Sequence, residues 1–370
     1  MGRPWLSAEA PPTSPPHFLL TISGRGRNLG GFPRFGEAGR WDRVTSPSTA
    51  MAVLVCFHDR CFDGACSAAV FTRFYRQCID AKAEFRYRGM MHRAGQLFDA
   101  GLFDAEENVI VDFKYSSSDR LTWWFDHHQS AFLTEADAEH FRNDHSGKKF
   151  YGPDFRSCTK FIAEIARIRF GFQAPDLKDL VHWADLIDGA QYPDIRTAVE
   201  MREPATQLTL VIEGTSEPDF CVRLIPELLS RPLKEIVALP HIQKAFEGLY
   251  AQHLKSIELI RGRAELQDGV VFFDLADQHV EGFNKFIPYY LFPTAVYSVG
   301  VSTSKERIKI AVGSNPWNSA PKAANLASIC EHYGGGGHPK VAAISLPPQD
   351  LEGARRVAAQ IVHELRTGHG

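Results

Sequence analysis

The sequence contains no CxxC pair. Its seven cysteines, Cys56, Cys61, Cys66, Cys78, Cys158, Cys221 and Cys330, are odd in number and scattered. That argues against a zinc ribbon and a disulfide framework, and makes reduced thiols in a cytoplasmic protein the simplest expectation. No apolar run approaches the ~18 to 20 residues of a membrane-spanning helix, so no membrane partner is expected. "HFLLTI" near the start is too short for a secretory signal and lacks a proper cationic lead. Positive charge is not in excess either. Lys and Arg number 41 against 44 Asp and Glu, a formal net charge of −3, so no global basic field advertises long duplex nucleic acid. A small anionic ligand at a local site stays compatible with this balance. No internal repeat is visible.

What is present is a globular composition, 44% hydrophobic and 23% charged over 370 residues, long enough for two domains of ordinary size. Residues 1–50 stand apart. "EAPPTSPPH", "SGRGRNLGGFPRFGEAGR" and "TSPSTA" are rich in Pro, Gly, Ser and Arg, without a sustained period. Such a segment buries too little apolar surface to offset its ordering entropy. A disordered leader is expected, with Met51 as the candidate natural start and a binding tail as the other reading.

From Ala52 strands and helices alternate. "AVLVCF", "AEFRYRG" and "NVIVDF" read as strands, followed by a short fourth at "WWFD". "GACSAAVFTRFYRQC", "AGQLFDAGLF", "SCTKFIAEIARIRFGF" (capped by Ser157 or Thr159) and "APDLKDLVHWADLIDGA" read as helices. This alternation predicts an α/β fold, a parallel sheet with helices on both faces, over 51–205. A helical connector is expected over 206–264. A smaller α/β unit follows over 265–370, with strands at "GVVFFDLA", "AVYSVGVSTS", "RIKIAVGS" and "VAAISL", and helices at "NLASICEHY" and the C-terminus.

Polar ends of parallel strands are where ligands gather. Three strands here end in metal-capable residues: "CFHDRCFD", "VIVDF" at Asp112, and "WWFDHH" at Asp126, His127 and His128. One such Asp is ordinarily a cap or turn former. Three strand ends in one sheet suggest carboxylates and imidazoles enough for two divalent ions, which activate water and clamp a phosphoryl group. The adjacent Trp123 and Trp124 read as core. Arg86, Arg88, His92 and Arg93 read as a solvated basic loop, with steering of phosphates as the other reading.

"FHDRCFDGACSAA", "VIVDFKYS", "FDHHQSA" and "GGGGH" resemble, in order, the motifs of the DHH phosphoesterase family and its C-terminal DHH-associated substrate domain, over roughly residues 52–365. The resemblance implies a two-domain hydrolase with a dinuclear, Mn²⁺-type centre in the first domain. Carried over by position, His58, Asp63 and His127 look like metal ligands and Asp112 like the carboxylate bridging both ions. Asp126 looks like the residue orienting the pair, and His128 like the histidine facing the phosphate. A fourth-motif aspartate is expected in "HWADLIDG". Asp185 is favoured over Asp188 because it follows the apolar stretch as the family's aspartate does.

One position departs from the pattern. The family's first motif carries two aspartates two residues apart, and here the earlier one is Cys61. A thiolate is a softer ligand, which brings Mg²⁺, Zn²⁺ and Fe²⁺ into question beside Mn²⁺; Asp59 is the other residue that could swing in. In the second domain the loop Gly335, Gly336, Gly337 and His338 is expected to hold substrate, since glycines let backbone N–H groups approach a phosphate. Asn315 and Trp317 are further candidates, because no Arg occupies "IKIAVGSNPW". The expected activity is hydrolysis of a phosphoester in a small nucleotide or short oligonucleotide by metal-activated water. The alternatives are a single-strand exonuclease and a nucleotide-binding regulatory protein with a degenerate metal site; a homodimer is left open.

Overall fold

The computed structural model describes residues 50–92, 98–99, 101–278, 280, 282–321 and 324–368. The leader expected over 1–50 thus lies outside the described residues except for Ala50, as does Arg93. Strands β1 (Ala52–His58), β2 (Glu84–Met90), β3 (Glu107–Val111), β4 (Trp123–Asp126) and β5 (Lys149–Tyr151) form one sheet in the order β2-β1-β3-β4-β5, parallel throughout. β1 buries five consecutive residues, the pattern of a strand covered on both faces. Alternation along the strands sorts the core into two layers. Val53, Val55, Phe57 and Trp123 face one side, and Leu54, Cys56 and Trp124 face the other.

The first layer is filled by α1 (Phe62–Cys78), whose buried Ala65, Ala68 and Ala69 let the helix lie close to the sheet. On the other layer, Phe132 and Phe141 pack around Trp124, with Phe141 carried by α2 (Glu135–Arg142). Helices α3 (Cys158–Phe170) and α4 (Lys178–Asp188) pack beside α1. Ser157 caps α3, its hydroxyl accepting from the Lys160 N–H, and Gly171 ends it in the left-handed conformation.

Helices α5 (Ile195–Val199), α6 (Pro204–Gly214), α7 (Phe220–Ser230), α8 (Leu233–Val237) and α9 (Pro240–Arg263) lead to a second sheet. It comprises β6 (Glu265–Gln267), β7 (Val270–Asp274), β8 (Tyr297–Thr303), β9 (Ile308–Ser314), β10 (Gly336–His338) and β11 (Val341–Leu346). Its order is β10-β11-β9-β8-β7-β6, antiparallel apart from the β7–β8 pair. Ile257 and Ile260 of α9 and α10 (Ile287–Leu291) cover Val271 and Phe273. The other face carries α11 (Leu326–Glu331) and α12 (Leu351–Thr367), the latter through Ala354, Ala358, Ile361 and Leu365.

Three short strands, β5, β6 and β10, have no signature in the sequence, because three residues are too few for a period to register. α2 escapes for another reason: it buries no residue and is held by a capping box between Thr134 and Asp137. The helix expected at "AGQLFDAGLF" falls partly outside the described residues, and its described part is bend, turn and irregular chain. Among the described residues, no helix is long and apolar enough to cross a membrane.

Candidate metal centre

The strand order sets β1, β3 and β4 side by side, so their three polar ends converge. Asp112 leaves β3 at φ +56°, a left-handed conformation that disfavours a residue with a Cβ and is typical of functional sites. Its N–H donates to the Phe125 carbonyl at 3.0 Å, and its side chain is 1% exposed. One carboxylate oxygen, Oδ2, stands 3.5 Å from His58 Nδ1. The other, Oδ1, stands 3.4 Å from His127 Nε2 and 3.8 Å from His128 Nδ1. These separations are long for hydrogen bonds, and neither Asp112 oxygen, nor His58 Nδ1, nor His127 Nε2 has a hydrogen-bond partner. Buried polar atoms left in this way are costly, and cations lying on the two sides of the Asp112 carboxylate would satisfy all four.

His127 is aimed by its other nitrogen. Nδ1 meets the Phe155 carbonyl at 3.0 Å, which directs Nε2 to Asp112, to Asp188 Oδ2 at 3.4 Å and to Asp63 Oδ2 at 3.8 Å. Burial pulls the His127 imidazole down, but the Asp112, Asp63 and Asp188 carboxylates outweigh it and raise its pKa to about 10. Asp126, fully buried, accepts at Oδ1 from the backbone N–H groups of His127 (2.8 Å) and His128 (3.2 Å) and bonds His128 Nδ1 at 2.7 Å. Burial lowers the His128 pKa, and the Asp126 bond with the Asp112 charge reverses that to a net rise.

Asp63, in the first turn of α1, accepts from the N–H groups of Cys158 (2.7 Å) and Thr159 (3.0 Å), so it also closes the N-terminus of α3. Burial and the charges of Asp112 and Asp188 push its pKa well up, against His127 and Thr159. Partial burial, with the side chain still 28% exposed, and the Asp112 charge likewise raise Asp188, to about 6. Burial would raise Asp112 too, but the imidazoles of His127, His58 and His128 hold it well below the usual carboxylate range.

The structure brings His58, Asp63, Asp112, His127 and His128 together, and adds Cys61 and Asp188. Among the described residues the sets able to hold an ion are His58–Cys61–Asp112, Asp112–His127–His128 and Asp63–His127–Asp188, each with ligand atoms within 4.8 Å of one another. Asp185, favoured from sequence, is in none of them. Its Oδ2 accepts from Lys160 Nζ at 2.8 Å, while Asp188, one turn later on α4, faces His127. No sequence signal separates the two, since both lie on the last turns of one helix.

Asp59 is turned elsewhere. It accepts from the Arg60 N–H, and its side chain fills the space that a Cβ on Gly89 of β2 would need, 2.6 Å away. His92, read as part of a basic loop, instead lies edge-on to His58 with ring centroids 4.8 Å apart, and stacks on Phe113 at 4.7 Å. Arg86 pairs with Asp104. Arg88 points at the Leu102 carbonyl.

In the second sheet, Gly336, Gly337 and His338 form the edge strand β10, and His338 is exposed. A Cβ on Gly335 would collide with the Ala343 carbonyl, and one on Gly337 (φ +152°) would sit 2.5 Å from Ala342 Cα. Both glycines are therefore required for contact with β11 whatever else they bind. Asn315 is 1% exposed and fully engaged: Nδ2 donates to the carbonyls of Pro293 and Ala295, and Oδ1 accepts from the Trp317 N–H. Its side chain braces the β9–α11 connection.

No family model matches the sequence, and no curated protein sequence matches it. Solved structures do resemble it. The pGpG-specific phosphodiesterase PggH from Vibrio cholerae is 19% identical, with a TM-score of 0.62 over 86% of this chain and 100% of that one. The DHH domain of a protein described as a member of a ribosomal-protein family is 14% identical, with a TM-score of 0.51 over 85% of this chain and 87% of that one. RecJ from Thermus thermophilus, in complex with Mn²⁺, is 13% identical, with a TM-score of 0.50 over 85% of this chain and 52% of that one. With the Asp-His-His residues at the end of β4 and the other motif residues converging on them, the chain has the fold of the DHH-domain phosphoesterases.

Proposed function

We propose that the protein is a metal-dependent phosphoesterase acting on small nucleotides or short oligonucleotides. The observation that carries this reading is Asp112. It is buried, its two oxygens face different imidazoles, and neither is hydrogen-bonded. Such an arrangement suits a carboxylate shared between two cation positions. His58 and Cys61 would complete one position, and Asp63, His127 and Asp188 the other. Two divalent ions there would supply Lewis acidity to a phosphoryl group and make water nucleophilic near neutral pH.

The remaining residues orient and bind. Asp126 holds His128 through Nδ1, leaving Nε2 to donate to a phosphate oxygen as the raised imidazole pKa favours. Burial raises the pKa values of Asp188 and Glu213, and the positive charge of Lys285, just before α10, works against both rises. His338 and the β10 edge would then hold the substrate away from the ions.

The test is a substrate panel with added Mn²⁺: pGpG (the substrate named for the similar Vibrio protein), 3′-phosphoadenosine 5′-phosphate, a diribonucleotide and a long single strand. Turnover of short substrates that disappears in Asp112→Asn supports the proposal. Preference for the long strand would favour an exonuclease, and nucleotide binding without turnover, with fewer than two ions bound, would favour a regulatory protein with a degenerate metal site.

A further inference from the structure

We propose that the two cation positions are chemically unequal, and that Cys61 makes the first one a thiolate site selecting a borderline ion, Zn²⁺ or Fe²⁺, while the second takes Mn²⁺ or Mg²⁺. The inference rests on the dinuclear reading above. Cys61 is the N-cap residue of α1, a position where a side chain ordinarily accepts from the helix N–H groups, yet it makes no such bond. Its Sγ instead lies with His58 and Asp112, all ligand atoms within 4.8 Å of one another. The neighbouring atoms are unpartnered: both Asp112 oxygens and His58 Nδ1 lack hydrogen bonds, and Asp112 is 1% exposed.

Asp59 does not compete for this position. Its carboxylate is committed to the Arg60 N–H and to the gap beside Gly89. The first position is thus a nitrogen, sulfur and oxygen set, whereas Asp63, His127 and Asp188 with the second Asp112 oxygen offer only nitrogen and oxygen. Sulfur donors favour Zn²⁺ and Fe²⁺, and carboxylate-rich sets suit Mn²⁺ and Mg²⁺. Binding at the first position would form a metal–sulfur bond and release the thiol proton to solvent.

The experiment loads the full chain, freed of metal by a chelator, with Co²⁺ and follows absorption. Wild type should bind two equivalents and show a near-ultraviolet sulfur-to-cobalt charge-transfer band that saturates at one. Cys61→Asp should keep two equivalents and lose the band, and Cys61→Ser should lose it too. Competition should show the preference for Zn²⁺ over Mn²⁺ at that position falling about tenfold or more in Cys61→Asp. In unmutated protein, Zn²⁺ should protect Cys61 from alkylation. Two equivalents of Co²⁺ bound to wild type with no band would overturn the thiolate site and leave the dinuclear reading standing. A band that persists in Cys61→Ser would assign the sulfur to another cysteine and overturn it as well. Failure of wild type to bind Co²⁺ at all would remove both readings.

Discussion

His127 Nε2 lies 3.4 Å from Asp188 Oδ2, while Asp185, one turn earlier on α4, is tied to Lys160 at 2.8 Å. The aspartate that completes the cluster is the last residue of the helix. Burial and the Asp112 charge raise its carboxyl to about 6 against the His127 imidazole, while the Asp112, Asp63 and Asp188 carboxylates raise that imidazole in turn.

Asp188→Asn should therefore lower kcat/KM by about a hundredfold or more and reduce bound metal, as loss of an ion ligand does. Asp185→Asn should change activity by no more than a few fold and leave metal content intact, because a partly exposed ion pair is worth about 1 kcal/mol or less. Metal analysis of both variants beside their kinetics checks the assignment; the reverse pattern would return Asp185 to the site.

Asp63 serves structure as well as the cluster. Asp63→Asn keeps the shape but cannot accept with both side-chain heteroatoms from the Cys158 and Thr159 N–H groups. A buried donor then loses its partner, and the variant should be destabilised by about 1–3 kcal/mol in addition to losing activity. Urea denaturation of the metal-free proteins separates this loss from any effect of the ion. Unchanged stability would show that the α3 terminus does not depend on this carboxylate.

The glycines before His338 should separate by position. Gly335→Ala and Gly337→Ala drive a Cβ into β11 and should cost about 1–3 kcal/mol each. A Cβ on Gly336 meets nothing within 4 Å, so Gly336→Ala should fold normally. Thermal melts decide this point, and equal losses at all three positions would show that the β10–β11 contact is not what requires glycine.

His253, buried in α9, meets the Val199 carbonyl through Nε2 at 2.7 Å. Burial lowers its pKa, against the partial support of that carbonyl. Below the ordinary imidazole pKa of about 6.5 the unfolded chain takes up a proton that the folded chain resists, so stability present above that pH is lost on acidification. His253→Gln retains a donor and removes the titration. Its melting temperature should fall less than that of wild type between pH 7.5 and pH 5. Parallel declines would assign the acid sensitivity elsewhere.

Much of this molecule was legible in one dimension. The apolar runs of β1 and β3 and the small-residue face of α1 declare a parallel sheet, because burial on both faces leaves no alternation to read. Polar residues directly after those runs mark the strand ends, and the chain has only one direction in which to carry them, so His58, Asp112, Asp126, His127 and His128 could be named by position. Tertiary structure decided the rest. The rotation of α4 against the sheet brings Asp188 rather than Asp185 to His127. The space beside Gly89 draws Asp59 out of the cluster and leaves Cys61 next to His58 and Asp112. Asn315 is consumed by backbone carbonyls, and Gly335 and Gly337 lie tight against a neighbouring strand. Each of these outcomes depends on which surfaces meet across tens of residues of chain, and local spacing carries no record of that.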